Sequence, residues 1–388
     1  MSATKTQNQH QTVPAPPKVP QYVLDHAPLL HLYTKDPYRP SSLATHLHHT
    51  HPEINFKPVP VRAPGLTLDT LNVLNEASKT GVVYLTSNED VSTDPEWLKG
   101  VGAGGKTGVV VVVPRGDAVG DGDGVVDVYY FYFFSFNFGG VVLGKELGDH
   151  VGDWEHSMIR FVKGVPKYVW LSQHANGEAY TYKCLNKDVK TGKRPILYCA
   201  NGSHAIYPTA GPHDHTIPNF NLPTPILLVD DTDAGPLYDS LLDSYYYEYS
   251  GPSSVAPSGT FTPYYKSRDD PVGFLYFTGR WGDEEYPADD PRQKGKGLFT
   301  FKKYVGGPTG PVDKQLLRKE VWPQNQWSGG QRIRTRLPGV ARWWEELGKW
   351  LGGKFGMKKS AYPNGTIKMT VDGKRLGVMQ AGKWITAE

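Results

Sequence analysis

The histidines of this chain are unevenly placed, and their neighbours suggest why. Of 13 histidines, seven fall in the first 60 residues (His10, His26, His31, His46, His48, His49, His51). The other six, His150, His156, His174, His204, His213 and His215, lie within 66 residues, and none occurs in the last 173. Their contexts are GDHVGDWEH (148–156), SQHANGE (172–178), GSHAIYP (202–208) and GPHDH (211–215). If the chain is extended from Trp154 onward, Asp153 and Glu155 point to one face, two residues apart. Two carboxylates about 7 Å apart along a strand repel unless something cationic lies near them. His150, in a loop that could fold back, completes a candidate metal-ligand set of His150, Asp153 and Glu155. Oxygen-rich ligation favours Ca²⁺, Mg²⁺ or Mn²⁺, ahead of Zn²⁺, and added imidazoles move the preference toward Mn²⁺ or Zn²⁺.

The remaining candidates sit around that set. His156 points to the opposite face of an unbulged strand, and Trp154 lies between the two carboxylates. His174 and His204 adjoin the Asn176–Gly177 and Asn201–Gly202 turns, and either serves as general base if the site is catalytic. His213 and His215 flank Asp214 and share a face if that segment is extended. Each residue also has a plain alternative, in which buried His and Asp only tie down loops by hydrogen bonds. Other chemistries are poorly represented. There is no Gly-x-Ser-x-Gly elbow. Ser203 and His204, adjacent on a strand, face opposite ways and make a poor dyad. GVGAGGKTG (100–108) superficially resembles a phosphate loop, but it leads into a strand, not a helix. LATHLHHTH (43–51) reads as a metal site or, more plainly, a polar surface segment. The Arg-Gly-Asp triplet at 115–117 fits a tight hairpin loop.

The elements that must position these residues are strands. Gly (43) and Pro (32) are abundant and aromatics reach 12%, which favours β structure with long loops over a helical bundle. Expected strands are 81–87, 107–113, the continuously apolar VVDVYYFYFFSFNFGG from Val125, then 154–162, 168–174, 179–185 and 195–200, with GFLYFTGRWGDEEYP (273–287) as a final core strand. Leu66–Ala77 reads as a short amphipathic helix and Tyr245–Tyr249 as an aromatic cluster. The fold class is mainly β: an antiparallel β-sandwich with long loops, a few short helices and a small C-terminal helix-hairpin extension. Residues 1–25 read as a disordered arm, 26–325 as the sandwich domain, and 330–388 as a Trp-rich basic helix (about 340–358) followed by a hairpin turning at Asp372–Gly373.

Charge and cysteine content exclude some classes. Lys plus Arg (42) against Asp plus Glu (39) leaves +3, so no strong field draws nucleic acid. Two cysteines exclude a disulfide framework and read as free thiols. The N-terminus carries no apolar signal segment, and no run approaches the 18 apolar residues of a membrane span. The expected location is cytoplasmic or peripheral to a membrane.

The same segments resemble a known family. LGDHVGDWEHSMIRF, VWLSQHANGEAYTY, NGSHAIYPTAG with HDHTIPN, and GRWGDEEYP with DPRQ are similar, in order, to the fungal vacuolar protein sorting-associated protein 62 family over about residues 25–325. The resemblance implies a role in protein targeting to the vacuole, hence a vacuolar membrane periphery, and brings no settled biochemical activity. GDHVGDWE also resembles, more distantly, the Gly-His-Arg-His-Asp-Trp-Glu motif of the necrosis-inducing proteins. Those are β-sandwiches that bind a divalent cation and act on plant membrane glycolipids. The match carries over His150, Asp153, Trp154 and Glu155, and departs at Gly152, where the motif has an imidazole.

Three readings follow. In the first, a divalent-cation-binding sandwich recognises a lipid headgroup, glycan or protein, and the basic Trp-rich helix adds peripheral membrane contact. In the second, the cluster is a metal-dependent hydrolase or lyase for a sugar or small molecule, with His174 or His204 as base. In the third, the cluster is a metal-free scaffold.

Overall fold

The structure, a computed structural model, describes residues 18–386 apart from 63–64, 101–103, 116–123, 143–144, 215–228, 266–268, 294–301, 325–330, 338–356, 362–366, 372–373 and 381–382. The chain divides into two units, Met1–Arg336 and Leu337–Glu388.

The larger unit is built on an eight-stranded sheet. Its centre is the thirteen-residue strand Val125–Asn137, paired antiparallel on one side with Gly108–Pro114 and on the other with His150–Val162. Val165–Gln173 and Asn176–Thr181 extend one flank as hairpins, and Ile333–Arg334 closes that edge in parallel. Ser244–Ser250 joins the other flank in parallel with Gly108–Pro114, and Thr260–Pro263 forms the far edge.

Alternation explains why the central strands read as unbroken apolar runs: both faces are covered. One face presents Val109, Val111, Tyr129, Phe131, Phe133, Trp154, Met158 and Trp170 to the main core. That core is completed by Leu68, Leu71, Leu74, Phe274, Leu275, Phe277 and Trp281 from the loops. The other face carries Tyr130, Tyr132 and Phe134, all fully buried. Their partners come from a four-stranded sheet (Leu29–His31, Ile196–Cys199, Ile206–Tyr207, Leu237–Asp239), its loops and the Gln21–Asp25 turn. Tyr132 meets Tyr238 edge-on at 6.2 Å, and Tyr130 Oη donates to the Val23 carbonyl at 2.7 Å. Each such aromatic contributes about 2–3 kcal/mol of apolar transfer.

Several expectations change in detail. Residues 21–25 are not part of an arm: Gln21–Asp25 is a helical turn with Val23 fully buried. Leu43–His48 of the LATHLHHTH segment is a short helix capped by Ser42, and it buries His46. The Leu66–Ala77 segment buries Leu68, Leu71 and Leu74 but winds as 3₁₀ turns, Leu71–Asn75 and Ala77–Lys79. The strand around residue 154 begins earlier, at His150, so His150 is on the strand and not in a loop. The 273–287 segment is core but not strand. Gly273–Tyr276 is a 3₁₀ turn, and Phe277 and Trp281 then pack inward from irregular backbone. Arg115 of the Arg-Gly-Asp triplet is buried; residues 116–123 lie outside the described residues. Cys184 and Cys199 are free thiols.

The smaller unit contains an antiparallel meander of four strands, Met357–Ala361, Ile367–Val371, Lys374–Gln380 and Lys383–Thr386. The expected hairpin is its central pair. The expected Trp-rich helix falls mostly on 338–356, outside the described residues.

Candidate functional site: a buried imidazole between carboxylates

Register places the key carboxylates. Asp153 pairs with Phe134 and Glu155 with Tyr132, so both carboxylates share the face turned to the smaller sheet. Both are buried, Asp153 and Glu155 each at 5% exposure. A like-charged pair there requires a cation. The cation is His204. Its ring stacks flat on Phe134, with centroids 3.7 Å apart and planes within 4°. Its Nδ1–H donates to Asp153 Oδ2 at 2.9 Å, and Nε2 makes an ionic contact with Asp36 Oδ2 at 3.5 Å. Burial opposes charge on this imidazole, but Asp153 and Asp36 outweigh it and push its pKa up to about 9. Asp36 is held below the ordinary carboxylate range against its own burial. His204 and the backbone N–H groups of Gly202 and Tyr38 hold it there.

The local chain is shaped to deliver this ring. His204 adopts φ +55°, in the left-handed region, just after Gly202 at φ +72°. A side chain on Gly202 would meet the Phe138 carbonyl at 2.8 Å. The Phe138 N–H donates to the Gly202 carbonyl at 2.9 Å, which seats the loop on the end of the central strand.

Glu155 receives a hydrogen bond from the Ser172 hydroxyl, which itself accepts from the His156 backbone N–H at 2.7 Å. Burial, reinforced by Asp153, pushes the Glu155 pKa well up. His150 Nδ1–H donates to the Gly152 carbonyl at 2.7 Å, and burial lowers the pKa of its ring. Among the described residues, no group of three or more His, Cys, Asp or Glu side chains is arranged to hold a metal ion. His150 turns to the Gly152 carbonyl and Glu155 to Ser172, so the structure does not gather His150, Asp153 and Glu155 into one ligand set. Asp153 Oδ2 is the oxygen that accepts from His204 Nδ1.

Gly152 explains the departure from the toxin-like motif. It sits at φ +69°, and a Cβ there would lie 1.9 Å from the Trp281 carbonyl oxygen. Across the contact, a Cβ on Gly282 would lie 1.8 Å from the Val151 carbonyl oxygen. Two backbones touch at this point, and an imidazole at 152 is sterically impossible without moving them. The same Trp281 carbonyl accepts from His46 Nε2 at 3.0 Å, while His46 Nδ1 faces Ser135 Oγ at 3.2 Å. His46 is thus a neutral core histidine, its pKa pushed down to about 3 by burial.

A second knot adjoins the first. Asp230 accepts from Ser203 Oγ (2.7 Å), His174 Nε2 (2.7 Å) and Tyr207 Oη (2.6 Å). Tyr207 stacks on His213 at 3.9 Å, and His213 Nε2–H donates to the Thr209 carbonyl at 2.9 Å. The structure thus brings His174, His204 and His213 to one loop cluster, 200–213, and leaves His156 and Trp154 on the opposite face. Asp214 pairs with Val229 in a two-stranded ladder, and His215 lies outside the described residues. Sequence reasoning missed Asp36 and Asp230. Asp36, in the N-terminal segment, and Asp230, beyond the last histidine, carry no local motif that marks them.

The fold and site define a mainly β protein, built on an eight-stranded sheet, whose loops are fastened to a central strand pair by a buried imidazolium between carboxylates. The family model described as vacuolar protein sorting-associated protein 62 matches residues 123–214, which hold the strand pair and His204. The TDA6 protein of Saccharomyces cerevisiae is 35% identical over 369 residues, 85% of this chain and 75% of the relative. Vacuolar protein sorting-associated protein 62 of the same yeast is 35% identical over 337 residues, 80% of this chain and 68% of the relative. No solved structure gives a significant match. The chain belongs to the vacuolar protein sorting-associated protein 62 family.

Proposed function

We infer that this chain serves vacuolar protein targeting as a non-catalytic recognition module, and that its His/carboxylate cluster is a metal-free clasp. The observation that carries this reading is the closure of His204. The ring is fully buried and positively charged, and both of its nitrogens face carboxylates. A general base needs a free lone pair within reach of a substrate, and His204 offers none. What the clasp fixes is the 200–213 loop cluster, whose partly exposed His213 belongs to the recognition surface. A lipid headgroup, a glycan or a protein is the class of ligand such a surface takes. No helix among the described residues is long and apolar enough to cross a membrane. The place of work that goes with a vacuolar sorting role is the cytoplasm or the periphery of the vacuolar membrane.

The test has two readouts. Elemental analysis of the purified chain is expected to find no stoichiometric Ca, Mg, Mn or Zn. A stoichiometric metal that Asp153→Asn loses would reinstate the cation site. In yeast lacking the two relatives, His174→Gln is expected to sort a vacuolar hydrolase as the unmodified chain does. Loss of sorting at unchanged melting temperature would reinstate catalysis.

A further inference from the structure

The main core contains cationic groups that neither the clasp nor the packing explains. Arg318 is 2% exposed, and its Nε, Nη1 and Nη2 have no hydrogen-bond partner among the described residues. Its guanidinium lies over the rings of Tyr129 (5.1 Å to the centroid) and Trp170 (5.6 Å). His156 also lies against Tyr129, 6.0 Å between centroids, with both ring nitrogens unpartnered and buried. The indole N–H of Trp170 is unpartnered too. Buried polar groups are normally paired, and a buried guanidinium without an acceptor is the costliest exception. These unpaired groups are mostly hydrogen-bond donors, and donors in excess call for an acceptor.

The backbone around Arg318 is held with unusual care. Arg160 binds Asp127 through two hydrogen bonds, at 2.7 and 2.8 Å, and also donates to the carbonyls of Lys319, Arg318 and Glu320. Arg115 lies 3.6 Å from Asp127 and donates to the carbonyls of Leu316, Leu317 and Arg318. Two arginines therefore grip the 316–320 loop and point a third inward. Three buried guanidinium groups face one buried carboxylate, which leaves local positive charge uncompensated.

We propose that Arg318, with His156 and the Trp170 indole N–H, forms an internal site for one small oxyanion, a phosphate or a carboxylate. The forked guanidinium supplies paired donors of the geometry that such oxyanions accept. His156, kept neutral by burial and by Arg318, donates a single N–H. The aromatic walls exclude water and strengthen each bond.

Native mass spectrometry of the full chain first records any co-purified anion, with a phosphate adduct distinguished from a carboxylate by mass. Thermal unfolding then follows titration with inorganic phosphate and with acetate, each against chloride at constant ionic strength. A saturable rise of about 4 °C at a hundredfold excess over Kd is expected with one of the two anions, unless that anion already co-purifies. Arg318→Met is expected to show neither adduct nor rise, and in chloride alone to be at least as stable as the unmodified chain, because an apolar side chain of similar length replaces an unpaired charge. If Arg318→Met does not fold, Arg318→Lys is expected to weaken the half-saturating concentration at least tenfold. The proposal is overturned by the absence of both adduct and rise in the unmodified chain. It is equally overturned by an identical rise in Arg318→Met, or by an unchanged half-saturation in Arg318→Lys.

Discussion

The buried imidazolium makes stability depend on pH in a direction opposite to that of an ordinary salt-bridged carboxylate. The ordinary pKa of histidine is 6.5, and in the folded chain that of His204 is pushed up to about 9. The folded state therefore holds the proton more tightly than the unfolded state. The corresponding stabilisation is complete below pH 6.5 and is lost as pH rises through about 9. A rise of that size amounts to about 3 kcal/mol, to order of magnitude. For a unit of 336 residues, unfolding entropy is roughly 0.7 kcal/mol per degree, so the melting temperature should fall by about 5 °C across this window. Thermal unfolding of the full chain at half-unit pH steps from 6 to 9.5 measures it. His204→Gln is the control. It leaves Asp36 and Asp153 buried without a cation, should lower stability by about 3–5 kcal/mol near neutral pH, and should abolish the alkaline fall. Asp153→Asn should shrink the fall, because one of the two carboxylates that raise the pKa is gone. A flat profile between pH 6.5 and 9 in the unmodified chain would refute the clasp, as would an alkaline fall of equal size in His204→Gln.

Further outcomes follow from neighbouring contacts. Gly152→Ala places a methyl against the Trp281 carbonyl at a positive φ and is expected to cost at least about 3 kcal/mol in urea unfolding; near-neutrality would show that the 151–152 and 281–282 backbones do not touch. Asp127→Asn leaves Arg160 and Arg115 buried beside an uncharged amide, and a loss of about 3–5 kcal/mol is expected by the same measurement. On the acid side, His46 has its pKa pushed down to about 3, so its contribution is present above pH 6.5 and fades as pH falls toward 3; His46→Phe should flatten that limb of the profile.

The sequence made the strand pair legible because its pattern is local. A continuous apolar run from Val125 can only be a strand covered on both faces, and two-residue spacing puts Asp153 and Glu155 on one of them. Charge repulsion then called for a cation near Asp153, and His204 stands there. The identity of the cation was not legible, because the partner is brought in by tertiary structure. His204 is 51 residues from Asp153, and Asp36 is 117 residues before it. Strand boundaries failed where glycine intervened: Gly152 at φ +69° lets the strand start at His150, while a sequence reading takes the GDHVG stretch as a loop. The 273–287 segment has strand composition, but Gly273 packs against the Asp69 carbonyl and the chain turns there. Arg318 has no motif at all, since its meaning lies in Arg115, Asp127 and Arg160, three residues that only the folded sheet assembles.

Glu155 and His156 show how one strand separates two opposite electrostatic environments. Neighbours on a strand project to opposite faces, so the strand sends Glu155 to the clasp and His156 to the arginine-gripped core. On the first face burial and Asp153 act against negative charge, and His204 supplies the compensating proton-borne charge. On the second, burial and Arg318 act against positive charge on His156. The strand pair is thus an insulating wall with acidic groups on one side and basic groups on the other. On the acidic side the His204 imidazole reaches both Asp153 and Asp36. On the basic side Asp127 pairs with Arg160 and Arg115, while Arg318 has no hydrogen-bond partner among the described residues. The oxyanion site proposed at Arg318 and His156 lies on this second face, opposite the carboxylates of Asp153 and Glu155.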